Sequence, residues 1–291
     1  MDETYQLLID TPWLLYCATL LLGLCIGSFI NVVIYRLPIM LEQQWRRDTI
    51  DTSHDHLYTP NLLGLATPAS HCPHCQRPVR ALENIPVLSF MWLRGQCKGC
   101  GAKISWQYPA IEILCALLSV IVVAALGLSW QAAAALILTY ALVALSCIDM
   151  RHQILPDYIT LPMLWLGLLL NTTTLFATPA ESILGAVIGY LVLWLVYHGY
   201  KKVTGKEGMG YGDFKLLAML GAWLGVGSLP LIILISSISG TIIGLILIGL
   251  GTFSKNAPIP FGPFLAIAGF IGLIWGKSIT DWYVFNFVAG I

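Results

Sequence analysis

Four cysteines and two aspartates carry the chemistry that the residues of this chain suggest. Cys72-Pro-His-Cys75 and Cys97-Lys-Gly-Cys100 are separated by the 21 residues 76–96. Two Cys-x-x-Cys knuckles at that spacing suit a tetrahedral zinc site with four thiolates. Each knuckle supplies two ligands from one tight turn, and Gly99 and Gly101 let the second turn curl around an ion. Cys72, Cys75, Cys97 and Cys100 together saturate the ion, so the expected role is structural, and His71 and His74 are expected to be solvated loop residues. A pair of disulfides is the alternative. The orientation derived below puts the loop in a reducing compartment, where structural disulfides are rare, and no βαβ pattern marks either knuckle as a redox motif.

The second set is Asp149 and Asp213. Asp149 directly follows the apolar run 141–148, and Asp213 lies in Gly210-Tyr211-Gly212-Asp213-Phe214-Lys215. Two carboxylates that share one proton can activate water and protonate a leaving group, which is aspartyl protease chemistry. The two glycines let neighbouring backbone or an extended substrate come close to Asp213. Glu112, Asp157 and Glu181 are the other acids at membrane depth or at helix ends. Glu112 is expected near a helix N-terminus, which favours a carboxylate, and Asp157 after Pro156 is expected to cap a helix.

The elements that position these residues are membrane helices. Only 10% of the chain is charged and 57% is hydrophobic, and the mean hydropathy is +0.79. Soluble domains carry about 25% charged residues. Apolar stretches at 12–35, 108–128, 131–148, 156–176, 182–200, 213–227, 229–250 and 261–277 predict about eight transmembrane helices, since a span needs roughly 20 residues. The expected fold is an all-α polytopic membrane protein with a cysteine-rich cytoplasmic loop domain between helices 1 and 2. Three divisions follow: a first helix over 1–35, a zinc-binding domain over 36–107, and a bundle over 108–291.

Basic residues predict the orientation. With the amino terminus outside, 14 of the 15 Lys and Arg residues fall on the cytoplasmic side, Lys255 among them, and only Lys277 lies outside. The tail carries Asp2, Glu3 and Asp10 with no Lys or Arg, so it lacks the basic n-region of a cleaved signal peptide, and the first helix is expected to stay. Asp149 then ends the third helix and Asp213 begins the sixth, at the same depth on the cytoplasmic face. A helix C-terminus disfavours a carboxylate and an N-terminus favours it, so the shared proton is expected mainly on Asp149.

At these residues the chain resembles the prepilin leader peptidase and N-methyltransferase family, the A24 type of membrane aspartyl protease. Gly27-Ser-Phe-Ile-Asn-Val-Val-Ile-Tyr-Arg-Leu-Pro38 is similar to the family's first-helix signature, and Gln107-Tyr-Pro-Ala-Ile-Glu112 to the start of its second helix. The paired knuckles resemble its cytoplasmic domain, and Asp149 and Asp213 match its two catalytic aspartates. The resemblance implies cleavage of the leader of type IV prepilins, or of type II secretion pseudopilins, after a glycine. It also implies methylation of the new N-terminal residue with S-adenosylmethionine as methyl donor, and ties Gly95 to methyl transfer. The implied setting is a bacterial inner membrane, with the lipid bilayer as environment and no nucleic acid as partner. No Gly-rich cofactor motif of soluble methyltransferases is present.

Three other classes compete. Gly210-Tyr211-Gly212-Asp213 spells the end of a potassium filter, but the charged, Gly-rich 201–209 stands where a pore helix belongs. Transporter carboxylates sit near the bilayer midplane on broken helices, whereas Asp149 and Asp213 are expected at the cytoplasmic rim. A zinc module on a simple anchor has no need of so many helices.

Overall fold

The structure, a computed structural model, describes residues 11–50, 64–251 and 259–288. Asp2, Glu3, Asp10 and Lys255, which entered the orientation argument, lie outside the described residues. Helices dominate: α1 (Pro12–Ile50), α2 (Leu88–Trp92), α3 (Gln107–Leu126), α4 (Trp130–His152), α5 (Asp157–Leu170), α6 (Pro179–Thr204), α7 (Tyr211–Leu224), α8 (Leu229–Gly249) and α9 (Gly262–Tyr283). Among the described residues there is no β-strand, and the cysteine knuckles carry two isolated β-bridges. The all-α membrane class expected from hydropathy is what the chain forms.

Among the described residues six helices, rather than eight, are long and apolar enough to cross a membrane: α1, α3, α4, α6, α8 and α9. All eight apolar stretches are helical, but α5 and α7 have 14 residues each, about 21 Å at 1.5 Å per residue. Both are cut short by capping features that hydropathy does not see. Asn171 closes α5, and Gly225, with φ +80°, closes α7. The first helix departs the other way, running past residue 35 and through Pro38 to Ile50. A proline costs a helix one backbone hydrogen bond. Beyond it, Leu41 is buried and Glu42 pairs with Arg46 at 2.6 Å in the favourable i, i+4 order.

The chain forms two compact units, Met1–Leu128 and Ser129–Ile291. The division between them falls after α3. In the first unit α1 and α3 pack through stripes of buried residues three and four apart. Thr19, Gly23, Gly27, Ile30 and Asn31 form one, and Ile111, Glu112, Cys115, Ser119 and Val122 the other. Gly23 and Gly27 set the distance between the helices. An added Cβ would lie 2.6 Å from Ala116 Cα at the first and 2.7 Å from Glu112 Cα at the second.

In the second unit α7 is the centre. Phe214, Leu216, Leu217, Met219, Leu220, Ala222 and Trp223 have no exposed surface. Gly185 on α6 meets Gly221 on α7 backbone to backbone. At the far end of α7, Asn171 donates through Nδ2 to the carbonyls of Ala222 and Trp223 and accepts from the N–H groups of Phe176 and Ala177. The Trp223 indole donates to Met163 O at 2.7 Å. These bonds satisfy the carbonyls that a helix end leaves open.

Candidate active site and metal centre

The two cysteine knuckles are built alike. In the first, Gln76 N–H donates to Cys72 O, Cys72 N–H to Arg77 O, and Gln76 takes φ +57°. In the second, Gly101 N–H donates to Cys97 O, Cys97 N–H to Ala102 O, and Gly101 takes φ +72°. Each turn thus needs a left-handed residue just after its second cysteine, and glycine supplies it at least cost. The four Sγ atoms lie within 4.8 Å of one another. Cys72 and Cys100 are 3.8 Å apart and Cys75 and Cys97 are 3.9 Å apart. A tetrahedron with metal–sulfur bonds of ~2.3 Å has edges of about 3.8 Å, whereas a disulfide needs about 2.05 Å. The cluster fits a metal ion.

Electrostatics agree. The N–H groups of Cys100 and Gly99 bring the Cys97 thiol down to about 6, and those of Cys75 and His74 lower Cys72. Four thiols this close cannot all ionise unaided. The Ala102 N–H favours the Cys100 thiolate, but burial and the three other sulfurs push it up to about 11. A cation is what removes that last proton. Arg77, paired with Glu83 at 2.8 Å, lays its stem over Gly99, where an added Cβ would sit 3.1 Å from Arg77 Cδ.

Gly95 lies between the knuckles with φ +68°, and its Cβ position would be 3.1 Å from the Phe90 ring. That ring packs on Trp106 with centroids 4.8 Å apart. Gly95 therefore faces a packed aromatic, not an open cradle.

The aspartates come together in the second unit. Asp149 is in the last turn of α4, which closes on Gln153 in the left-handed conformation. Asp213 is the third residue of α7, after the Gly210 N-cap. Both are buried, at 6% and 7% exposure. Leu155 packs beside both: an added Cβ would lie 2.8 Å from it at Gly212 and 3.2 Å from it at Gly262. Gly210 has nothing nearer its Cβ position than Asp213 Oδ2 at 3.8 Å, so that flank is open. Tyr211 and Gly212 begin α7 and are no extended filter.

One partner was missed from the sequence. Gly262, the first residue of α9, donates its N–H to Asp149 Oδ2 at 3.0 Å. A side chain there would displace the carboxylate, since an added Cβ would be 2.6 Å from the same oxygen. Gly262-Pro263 ahead of an apolar run was the available signal, for proline is favoured in a first helical turn. This bond also removes the basis of the helix-end assignment of the proton. Asp149 feels the negative end of α4 and the positive end of α9 together, so the helix fields no longer separate the two acids.

The remaining acids are accounted for. Asp157 is the first residue of α5, not its cap, and binds Lys215 Nζ at 2.7 and 2.8 Å, clamping α5 to the start of α7. Glu181 completes a capping box with Thr178 at the start of α6. Glu112 is buried on α3 and accepts the Val87 N–H at 2.7 Å.

Known proteins match this chain along most of its length. The bacterial peptidase A24 N-terminal domain matches residues 21–126, and the type IV leader peptidase family matches residues 136–245. Among curated relatives, the prepilin leader peptidase/N-methyltransferase of Aeromonas hydrophila is 53% identical over 280 residues, covering 95% of this chain and 96% of the relative. That of Pseudomonas aeruginosa is 49% identical over 281 residues, covering 95% and 96%. No solved structure matches. The cysteine unit falls within the first matched segment, and both aspartates fall within the second. The chain belongs to the type IV leader peptidase family.

Proposed function

We propose that this protein is a bifunctional membrane enzyme that removes the leader peptide of type IV prepilins or pseudopilins after a glycine and then methylates the exposed N-terminus. The observation that carries the proteolytic half is the burial of Asp149 and Asp213 in one unit, with Leu155 packed beside both. One carboxylate takes a proton from water while the other, protonated, hydrogen-bonds the scissile carbonyl. The Gly262 N–H holds Asp149 in place. The open flank at Gly210 gives an extended chain a way to Asp213.

The metal at Cys72, Cys75, Cys97 and Cys100 is proposed to be zinc with a structural role, because no ligand position is left for water. S-adenosylmethionine is the proposed methyl donor, as the relatives' second activity implies. Gly95 is the residue proposed to serve methyl transfer, and the Phe90 ring packs at its Cβ position. Its support for methylation is through the shape of the loop. The location is a bacterial inner membrane with both sites on the cytoplasmic side, supported by the Lys and Arg distribution. With both aspartates on one side of the membrane, α5 is proposed to carry the chain outward between α4 and α6 despite its length.

The test is one assay. Purified protein is incubated with a prepilin, with and without S-adenosylmethionine, and the product is weighed. A mature chain, heavier by one methyl only when the donor is present, is the expected result. An uncut prepilin overturns the proposal.

A further inference from the structure

The segment carrying the metal cluster reads as polar, but part of it is neither polar nor free to sit away from the bilayer. Leu88, Met91 and Trp92 on α2 are spaced i, i+3, i+4, which puts them on one face of the helix. They are 63%, 68% and 85% exposed. Trp106, which stacks on Phe90 beneath them, is 76% exposed. An apolar cluster of this kind on a surface marks an interaction site.

Its depth is fixed by chemistry. Val87, immediately before α2, takes φ +58°, an uncommon conformation for a β-branched residue. Its N–H is bonded to the buried carboxylate of Glu112 at 2.7 Å. Glu112 is the sixth residue of α3, one of the helices apolar and long enough to cross the membrane. Side chains on a helix lean toward its N-terminus, so this carboxylate lies over the first turn of α3. The start of α2 is thereby held at the level where α3 enters the bilayer. Trp106 directly precedes α3 at that same level.

Charge points the same way. Residues 64–106 contain Arg77, Arg80, Arg94, Lys98 and Lys103 against a single acid, Glu83, which is already paired with Arg77. Arg94, Lys98 and Lys103 are exposed. Even with a metal-loaded four-thiolate cluster carrying two negative charges, the segment stays basic. Basic residues flanking exposed tryptophan and leucine at the end of a membrane helix match the headgroup zone of an anionic bilayer.

We propose that α2, with Trp106, is an interfacial anchor that docks the face formed by Leu88, Met91 and Trp92 into the headgroup and upper acyl region of an anionic membrane. The bilayer then fixes the height of the cysteine cluster and of Gly95. The apolar side chains lie in lipid, Arg94, Lys98 and Lys103 reach phosphates, and the Val87–Glu112 bond transmits the position of the membrane helix to the loop. This rests on the membrane-spanning helices and not on the enzymatic assignment.

Full-length protein in nanodiscs containing phosphatidylglycerol tests it. Trp92→Phe removes one exposed indole without disturbing packing. The difference spectrum, wild type minus variant, should be blue-shifted and quenched by lipids brominated near the headgroup, and shielded from aqueous iodide. The triple variant Leu88→Ser, Met91→Ser, Trp92→Ser should show faster amide hydrogen exchange over 88–95 than wild type in the same nanodiscs, and no difference in detergent-free exchange at the α1–α3 contact. A Trp92 signal quenched by iodide and untouched by bromolipid overturns the proposal. So does equal exchange over 88–95 in wild type and triple variant.

Discussion

The cysteine cluster and the aspartate pair are both sites of ionisable groups, but they are assembled by opposite means. Each knuckle closes on itself within a few residues, through Cys72 with Arg77 and Cys97 with Ala102. Bringing two such local turns together is all that the metal centre requires. The aspartates lie on different helices, 64 positions apart in the sequence, and the N–H that holds Asp149 comes from Gly262, a further helix away. One site is a property of loops and an ion. The other is a property of a packed bundle, and it should be sensitive to changes that leave every acid in place.

The largest effect that sharpens this comparison is loss of the metal. Replacing Cys72 and Cys97 by serine should abolish metal binding, because structural zinc contributes about 10–16 kcal/mol of apparent folding free energy to the segment it closes. Elemental analysis and protease sensitivity of residues 64–106 report it, while the bundle should stay folded. Cys97 is held low, so its thiolate persists above about pH 6 and is lost as pH falls through that value. Metal uptake by stripped protein should therefore weaken as pH falls, because Cys100 must give up its proton, and more steeply below about pH 6, where Cys97 is protonated as well.

Next in size is loss of an acid. Asp149→Asn or Asp213→Asn should lower leader cleavage by at least 10²–10⁴-fold, about 2.7–5.4 kcal/mol in the barrier. Metal content and membrane insertion should be unchanged. Cleavage by either variant near the wild-type rate would break the comparison at its centre.

Gly262→Ala is more discriminating, since it keeps both acids. The new methyl group would crowd Asp149 Oδ2, and a misplacement of about 1 Å in a catalytic group costs roughly 10²-fold. Cleavage assays on this variant should show that loss with an unaltered melting profile. An unaffected rate would mean that the α9 contact does not hold Asp149 in the working enzyme.

The smallest effect belongs to Gly95→Ala. A left-handed residue with a side chain costs about 1–2 kcal/mol, and the methyl would press on Phe90. Methyl transfer, followed by mass spectrometry of the mature product, should fall while leader cleavage continues. Equal loss of both activities would argue against two separable sites.

What the sequence alone determined about this protein is what local physics controls. Hydropathy located the apolar helical stretches, because the bilayer's demand for apolar length is met residue by residue, though only six of the eight are long enough to span it. Spacing identified the cysteine cluster, because a knuckle is a local turn. Asp149 and Asp213 stood out because a carboxylate at membrane depth is costly. Tertiary structure decided the rest. The lengths of α5 and α7 follow from Asn171 and Gly225, whose capping bonds reach residues far along the chain or depend on a backbone angle. The close packing of α3 on α1 follows from Gly23 and Gly27, which permit an approach that composition does not reveal. Gly262 emerged as a partner of Asp149 only when α9 was in place, since its N–H is a backbone group without a side-chain signature. Backbone donors and close glycine contacts have no code of their own, and they become visible only when the helices are packed.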